Sequence, residues 1–273
     1  MPRAIRSAPL GDTDPFTPTA ARPVRVRARH IAVDSHFEPH RHAWAQLAYC
    51  ASGVVQVRVM APTLPTAYLV PPSRAVWIAP GALHAITVLE AAAFRTLYID
   101  PSAVPPGWAG GRAIAVTPLL RELISALDPP GGEPPAPERE AALTTLVLDE
   151  IHSAQRLALG VPLPASDSDK RLRAVCQAVL EQPGRHATLQ DWASNSGASE
   201  RTLARLFRNQ LGMGFAQWRR QAVLAHALPR LARGEAVGQV AATSGYASES
   251  AFSAMFKAAM GQPPSAFRGQ TAQ

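Results

Sequence analysis

The chain has 273 residues, about twice the usual length of one domain, so two domains are expected. Apolar types make up 47% and charged types 17%, which excludes a wholly disordered chain, and no run of about 18 apolar residues is present to span a membrane. The formal net charge of +7 is uneven: 13 Lys/Arg stand against 5 Asp/Glu from Lys170 onward and 14 against 15 before it, so the last 104 residues carry the excess and suit a polyanionic partner.

In chain order, Met1 to Leu10 lacks the apolar stretch of a signal peptide, and residues 1–23, with five prolines, read as a flexible arm. From Val24 to Asp100 the apolar residues form short stretches rich in Val, Ile and aromatics, such as Val54-Val55-Gln56-Val57-Arg58-Val59 and Ala75-Val76-Trp77-Ile78. Gly53, Pro71-Pro72 and Pro80-Gly81 punctuate them, a pattern that predicts a β-sandwich or barrel over residues 24–100. Cys50 and Cys176 lie 126 positions apart and form no CxxC pair, as expected of a reduced, cytoplasmic protein.

Strand signals then stop, and residues 101–159 are expected to be helical. Thr117 to Leu127 reads as one helix, Asp128 to Pro137 as a loop, and Glu138 to Leu159 as a long helix. Leu143, Leu146, Val147, Glu150, Ile151, Ala154 and Leu157 recur at spacings of three and four, a stripe that either packs on the barrel or forms a dimer seam. Residues 160–169 are rich in Pro, Ser and Asp and read as a linker.

Residues 170–273 are helical in pattern and contain a repeat. Aligning Ser199 with Ser248 also pairs Glu200/Glu249, Leu203/Phe252, Leu206/Met255, Phe207/Phe256, Arg208/Lys257, Gly212/Gly261 and Arg219/Arg268, every pair offset by 49. Each copy has the order of a helix-turn-helix: a short helix, a glycine turn (Gly197, Gly245), a serine N-cap and a second helix with buried aromatics. A long helix, Ala216 to Arg233, links the copies. Side chains at the start of a second helix are the ones that reach base edges in the major groove. Arg201 and Arg205 share a face, and arginine pairs bidentately with guanine.

The region from Arg171 to Arg268 resembles the DNA-binding domain of the AraC/XylS family of bacterial transcription regulators. The resemblance is most specific in Val240-Ala241, Gly245-Tyr246, Ser248, Phe252, Phe256-Lys257, Gly261, Pro263-Pro264 and Phe267-Arg268. It implies two recognition helices in successive major-groove segments. The expected DNA-binding residues are Ser199, Arg201, Thr202, Arg205 and Arg208 in the first copy, and Glu249, Ser250, Ser253 and Lys257 in the second. Ala204 and Ala254 stand where many members carry a polar side chain. The second helix, with no arginine on its reading face, is expected to position more than to read.

The spacing His40-x-His42-x-x-x-Gln46 with the later Pro80-Gly81-Ala82-Leu83-His84 resembles the two motifs of cupin β-barrels. Alternate strand residues share a face, so His40, His42, Gln46 and His84 are expected to form an effector pocket. Metal-binding cupins usually have Glu where this chain has Gln46. Two readings stay open: His40, His42 and His84 hold a divalent transition metal, or the pocket is metal-free and binds an organic effector by hydrogen bonds. His30, His36, His152, His186 and His226 read as scattered surface residues.

The expectation is an α+β, two-domain transcription regulator and not an enzyme. Its cupin-like domain senses a small-molecule or metal effector, and its helical domain binds double-stranded promoter DNA. A homodimer is expected, with RNA polymerase as a further partner if the protein activates. The competing reading is a metal-dependent cupin enzyme fused to a DNA-binding module.

Overall fold

The computed structural model of the chain describes residues 6–268 except 10, 12, 62, 63, 73, 130–132, 134, 158, 159 and 195. The chain divides into two compact units, Met1–Ala61 with Tyr68–Leu159, and Pro62–Ala67 with Gly160–Gln273. No described helix is long and apolar enough to cross a membrane.

The ten strands among the described residues are, in chain order, β1 (Arg6–Ser7), β2 (Val24–Ile31), β3 (Ser35–His40), β4 (Ala45–Val59), β5 (Thr66–Val70), β6 (Arg74–Ile78), β7 (His84–Ile99), β8 (Gly111–Ala115), β9 (Arg156–Leu157) and β10 (Gly160–Pro162). They hydrogen-bond in the order β1-β3-β7-β4-β6-β8-β9, with β2 also on β7 and β5 joining β4 and β10. Helices α1 (Pro118–Leu127) and α2 (Pro137–Ser153) follow β8.

Alternation sorts the side chains of β4, β6 and β7 between two cores, with the phase of β4 reversed by the register shifts between Cys50 and Val55. Ala48, Cys50, Val76, Ile78 and Phe94 join Val55, Val57, Ile86 and Val88 in one buried cluster. Leu47, Tyr49, Ala75, Trp77, Leu97 and Ile99 join Leu120, Leu123, Ile124, Leu143, Val147 and Ile151 of α1 and α2 in the other. Packing against the sheet therefore explains most of the apolar stripe on α2, while Leu146 stays 48% exposed.

Several local expectations are revised. Gly53 ends no strand; it lies inside β4 with φ +76°, where a Cβ would sit 2.1 Å from the Ala91 carbonyl oxygen, and the register with β7 shifts on either side of it. The backbone there makes a bulge, which only glycine fits. Strands do not stop at Asp100, because Gly111–Ala115 pairs with β6 although Ile114 is its single large apolar residue. The long helix ends at Ser153, and Arg156–Leu157 pairs with β8 instead. Gly160–Pro162 of the expected linker is strand, since Val161 is apolar and buries. In the expected arm, Arg6–Ser7 pairs with β3 and the Ala8 N–H donates to the His36 carbonyl.

The second unit contains α3 (Lys170–Glu181), α4 (Leu189–Ser194), α5 (Glu200–Leu211), α6 (Phe215–Ala232), α7 (Val237–Thr243) and α8 (Glu249–Met260). Leu172, Val175, Val179, Trp192, Leu203, Phe207, Leu211 and Trp218 form its main buried cluster. Trp218 Nε1–H donates to the Pro162 carbonyl at 2.7 Å. Phe252, Phe256 and Phe267 pack ring against ring under α8.

Candidate nucleic-acid interface and effector pocket

The two repeats share a frame. Ser199 caps α5 by accepting the Thr202 N–H at 3.2 Å, and Ser248 caps α8 by accepting the Ala251 N–H at 3.2 Å. Both helices end on a left-handed glycine, Gly212 at φ +70° and Gly261 at φ +77°. Phe207 and Phe256, equivalent in the repeat, are both fully buried. This leaves a defined outer face on each helix.

On α5 that face carries Arg201, Arg205 and Arg208, all exposed, with Thr202 half-buried and bonded through its hydroxyl to Ser199. Ala204 packs against the core and is not fully exposed. On α8 the face carries Glu249, Ser250, Ala254 and Lys257, exposed, with Ser253 half-buried. The Glu249 carboxylate reaches back over α7, where a Cβ on Gly238 would meet its Oε2 at 2.9 Å. The Ser250 hydroxyl lies 3.0 Å from the capping Ser248 hydroxyl. The structure thus keeps both sets of expected residues on outer helix faces and ties Ser199, Thr202 and Ser250 partly into capping.

In the first unit, His40 ends β3 and His84 begins β7 directly opposite it. Gln46 lies on β4 opposite Tyr98, on the face that also carries Ala48 and Cys50. The ligand-capable nitrogens of His40, His42 and His84 all lie within 4.8 Å of one another. All four expected pocket residues are brought together.

Their hydrogen bonds define the ring chemistry. His40 Nδ1 faces the Glu38 carbonyl at 2.8 Å, His42 Nδ1 the Trp44 carbonyl at 2.7 Å, and His84 Nδ1 the Ala82 carbonyl at 2.9 Å. A carbonyl only accepts, so each Nδ1 carries the proton, and the Nε2 of a neutral ring is left with a bare lone pair. Burial pushes His84 down to about 3 and also lowers His40, so both rings are neutral at neutral pH. Gln46 Oε1 lies 2.8 Å from His42 Nε2 and 3.2 Å from His84 Nε2. Facing an unprotonated Nε2 such as that of His84, the amide would be flipped so that its NH2 donates to the ring.

Two aromatic residues flank the histidines. Trp44 stacks on His42 with ring centroids 5.2 Å apart, and its buried Nε1 has no hydrogen-bond partner. Tyr98 meets both His42 and Trp44 edge-on. Tyr98 joins through the long-range pairing of β4 with β7, which no spacing in the chain announces. His226 is also no surface residue: it is half-buried on α6, bonded to Arg230 Nη1 at 3.1 Å, and burial pushes it down to about 4. The thiols of Cys50 and Cys176 are buried and raised by burial, which leaves them inert.

Residues 23–191 match the family described as AraC-like ligand binding domain, and residues 192–270 the family described as helix-turn-helix domain. The chain is 33% identical over 236 residues to the HTH-type transcriptional regulator NimR of Escherichia coli, covering 86% of this chain and 84% of that protein. It is 32% identical over 107 residues to the HTH-type transcriptional regulator RipA of Corynebacterium glutamicum, covering 39% and 32% of the two chains. Among solved structures, ToxT of Vibrio cholerae aligns over 90% of this chain and 97% of its own, with 13% identity and a TM-score of 0.36.

Proposed function

The chain belongs to the AraC family of transcription regulators, with a ligand-binding amino-terminal domain and a helix-turn-helix DNA-binding domain, and from that premise we propose which residues do the work. Arg201 and Arg205 read base edges in one major-groove segment. Arg208 and Lys257 hold phosphates, and Glu249, Ser250 and Ser253 place the second helix in the adjacent segment. The observation that carries this is the paired, serine-capped outer faces of α5 and α8, one rich in arginine and the other without any. The test is selection of a preferred sequence from random DNA by the full chain, followed by R201A and R205A. Each variant should relax preference at one or two base pairs. Equal weakening on selected and random DNA would remove the base-reading role.

The pocket of His40, His42, Gln46 and His84 receives the effector, which acts by shifting how the DNA-binding unit is presented. Three bare Nε2 atoms with their Nδ1 protons anchored on carbonyls form the ligand pattern of a metal-binding histidine set, and all-nitrogen donors suit a divalent transition metal. Gln46 Oε1 would offer a neutral fourth donor to such a metal. Protein purified without an affinity metal tag should then carry about one metal per chain, since such ligands converge only in the fold. Gln46→Glu should tighten binding and His42→Ala abolish it. Metal content near zero, with an unchanged DNA response after reconstitution, would leave an organic effector that bonds the same nitrogens and the Trp44 N–H.

The exposed Leu119 and Leu146, at 52% and 48%, support a homodimer through α1 and α2. The protein is read as a regulator without catalytic turnover.

A further inference from the structure

The helical unit contains a second set of contacts that neither recognition helix explains. The segment before α4 and the turn after α7 meet backbone to backbone. A Cβ on Gly184 would lie 2.4 Å from the Thr243 carbonyl oxygen, and a Cβ on Gly245 would lie 2.8 Å from Gly184 Cα. Arg219, on the connecting helix α6, reaches into this joint. Its Nη2 donates to the Pro183 carbonyl at 3.0 Å and to the Ser244 carbonyl at 3.2 Å. One guanidinium thus bonds the entry to the first helix-turn-helix and the turn of the second. Ser244 is fully buried, and a Cβ on Gly245 would meet Arg219 Nη2 at 3.0 Å, so the joint has no slack for another arrangement.

The repeat makes the assignment specific. Arg268 is the equivalent of Arg219 at the offset of 49. Its Nη2 donates to the Gly234 carbonyl at 3.3 Å, in the loop that enters the second helix-turn-helix. Both arginines therefore fasten back to the loop ahead of their own copy. Only Arg219 also crosses to the other copy.

We propose that Arg219, seated between Gly184 and Gly245, is the positioning residue that sets the separation of the two recognition helices and hence the half-site spacing the protein accepts. Arg219 touches no DNA in this role. The proposal rests on both helices entering DNA, as argued above. A duplex turns once in about 10–10.5 bp, so one inserted base pair rotates the second half-site by about 35° and moves it about 3.4 Å along the axis. A rigid pair cannot follow that displacement, whereas a loosened pair can.

The experiment uses the full chain and the DNA sequence it selects from a random pool, with the spacer between half-sites lengthened or shortened by one base pair. Wild type should lose at least about tenfold in affinity on either altered spacer, the scale of one mismatched contact. Arg219→Met should bind the native spacer less well but reduce the spacer penalty to about threefold or less, because the joint no longer holds. Arg219→Lys, which keeps the charge but has no fork to bridge two carbonyls, carries the same test should the Met variant not fold. Arg268→Met should leave the spacer penalty at the wild-type level. A spacer penalty unchanged in a folded Arg219 variant, or equal loosening in Arg268→Met, overturns the assignment. If wild type selects no sequence at all, the DNA-binding reading fails first, before any variant is made.

Discussion

The two helix-turn-helix copies were built on one frame and then given different surfaces. Ser199 and Ser248 cap in the same way, Phe207 and Phe256 bury at the same depth, and Gly212 and Gly261 end both helices in the left-handed region. The outer faces keep Glu200/Glu249 and Arg208/Lys257 but diverge between them: Arg201 and Arg205 on α5 stand against Ser250 and Ala254 on α8. Side chains that hold a fold are constrained by packing on all sides, whereas those that face a partner answer only to it. Duplication with divergence is therefore visible as a split between inner and outer positions of the same helices. The split also implies unequal work, with sequence readout concentrated on the first copy.

The largest expected effect tests the shared frame. Phe207→Ala and Phe256→Ala should each destabilise the helical unit by about 3–5 kcal/mol, since both rings are fully buried and leave cavities. Chemical denaturation followed through the helical signal measures this. Losses that differ by more than about twofold between the two would show that the copies are not mechanically equivalent.

The next effect tests the divergent surfaces. Arg205→Ala should cost about 1–3 kcal/mol on the selected DNA and much less on random DNA, as loss of a bidentate base contact does. Ser253→Ala, the α8 counterpart at a shift of one residue, should stay below about 1 kcal/mol. Competition binding at fixed salt gives both values, and a larger loss for Ser253→Ala would reverse the division of labour.

Much of this frame was legible in the chain. The offset of 49 places caps, aromatics and terminal glycines correctly because helix periodicity and capping are local rules, readable within a few residues. The histidine cluster was legible for a similar reason: His40 and His42 are near neighbours, and a later turn brings in His84. What stayed hidden depends on pairings between distant segments. Tyr98 reaches the histidine cluster through β4, β8 exists because β6 offers it an edge, and α2 stops at Ser153 because Arg156–Leu157 finds a strand partner. Arg219 showed only as one matched pair of the repeat, and its second bond, to Ser244, appears once the copies are folded against α6. His226 differs from the surface expectation because the second half of its helix, past the exposed Gln217 and Arg220, is buried on several faces.

Acid should weaken both units, through His84 and His40 in the first and His226 in the second. His84 in the barrel is pushed down to about 3 and His226 on α6 to about 4. A folded value below the unfolded value of about 6.5 means the unfolded chain binds the proton first. The stability each neutral ring contributes is thus present above about pH 6.5 and is lost as pH falls toward its folded value. For the well-buried His84 the slope approaches about 1.4 kcal/mol per pH unit. His84→Gln should flatten the acid limb of the barrel's stability, and His226→Gln that of the helical unit. A variant that leaves its own unit's limb unchanged would mean that its ring is solvated in the folded state.

The smallest effect separates capping from DNA contact at a position where both are expected. Ser199 accepts the Thr202 N–H and its hydroxyl lies 2.9 Å from Thr202 Oγ1, so part of its hydrogen-bonding capacity is used within the helix start. Ser199→Ala and Ser248→Ala should each cost the helical unit about 1 kcal/mol, the usual value of a lost N-cap. Asparagine caps as well as serine but presents a bulkier amide to the outside. Ser199→Asn should therefore restore stability in full. If Ser199 only caps, DNA affinity returns with it. If its hydroxyl also touches a phosphate, stability returns and affinity does not, and the deficit is the same on selected and random DNA because a phosphate contact carries no sequence. The comparison with Ser248→Asn then shows whether the two copies meet the backbone alike while reading bases differently.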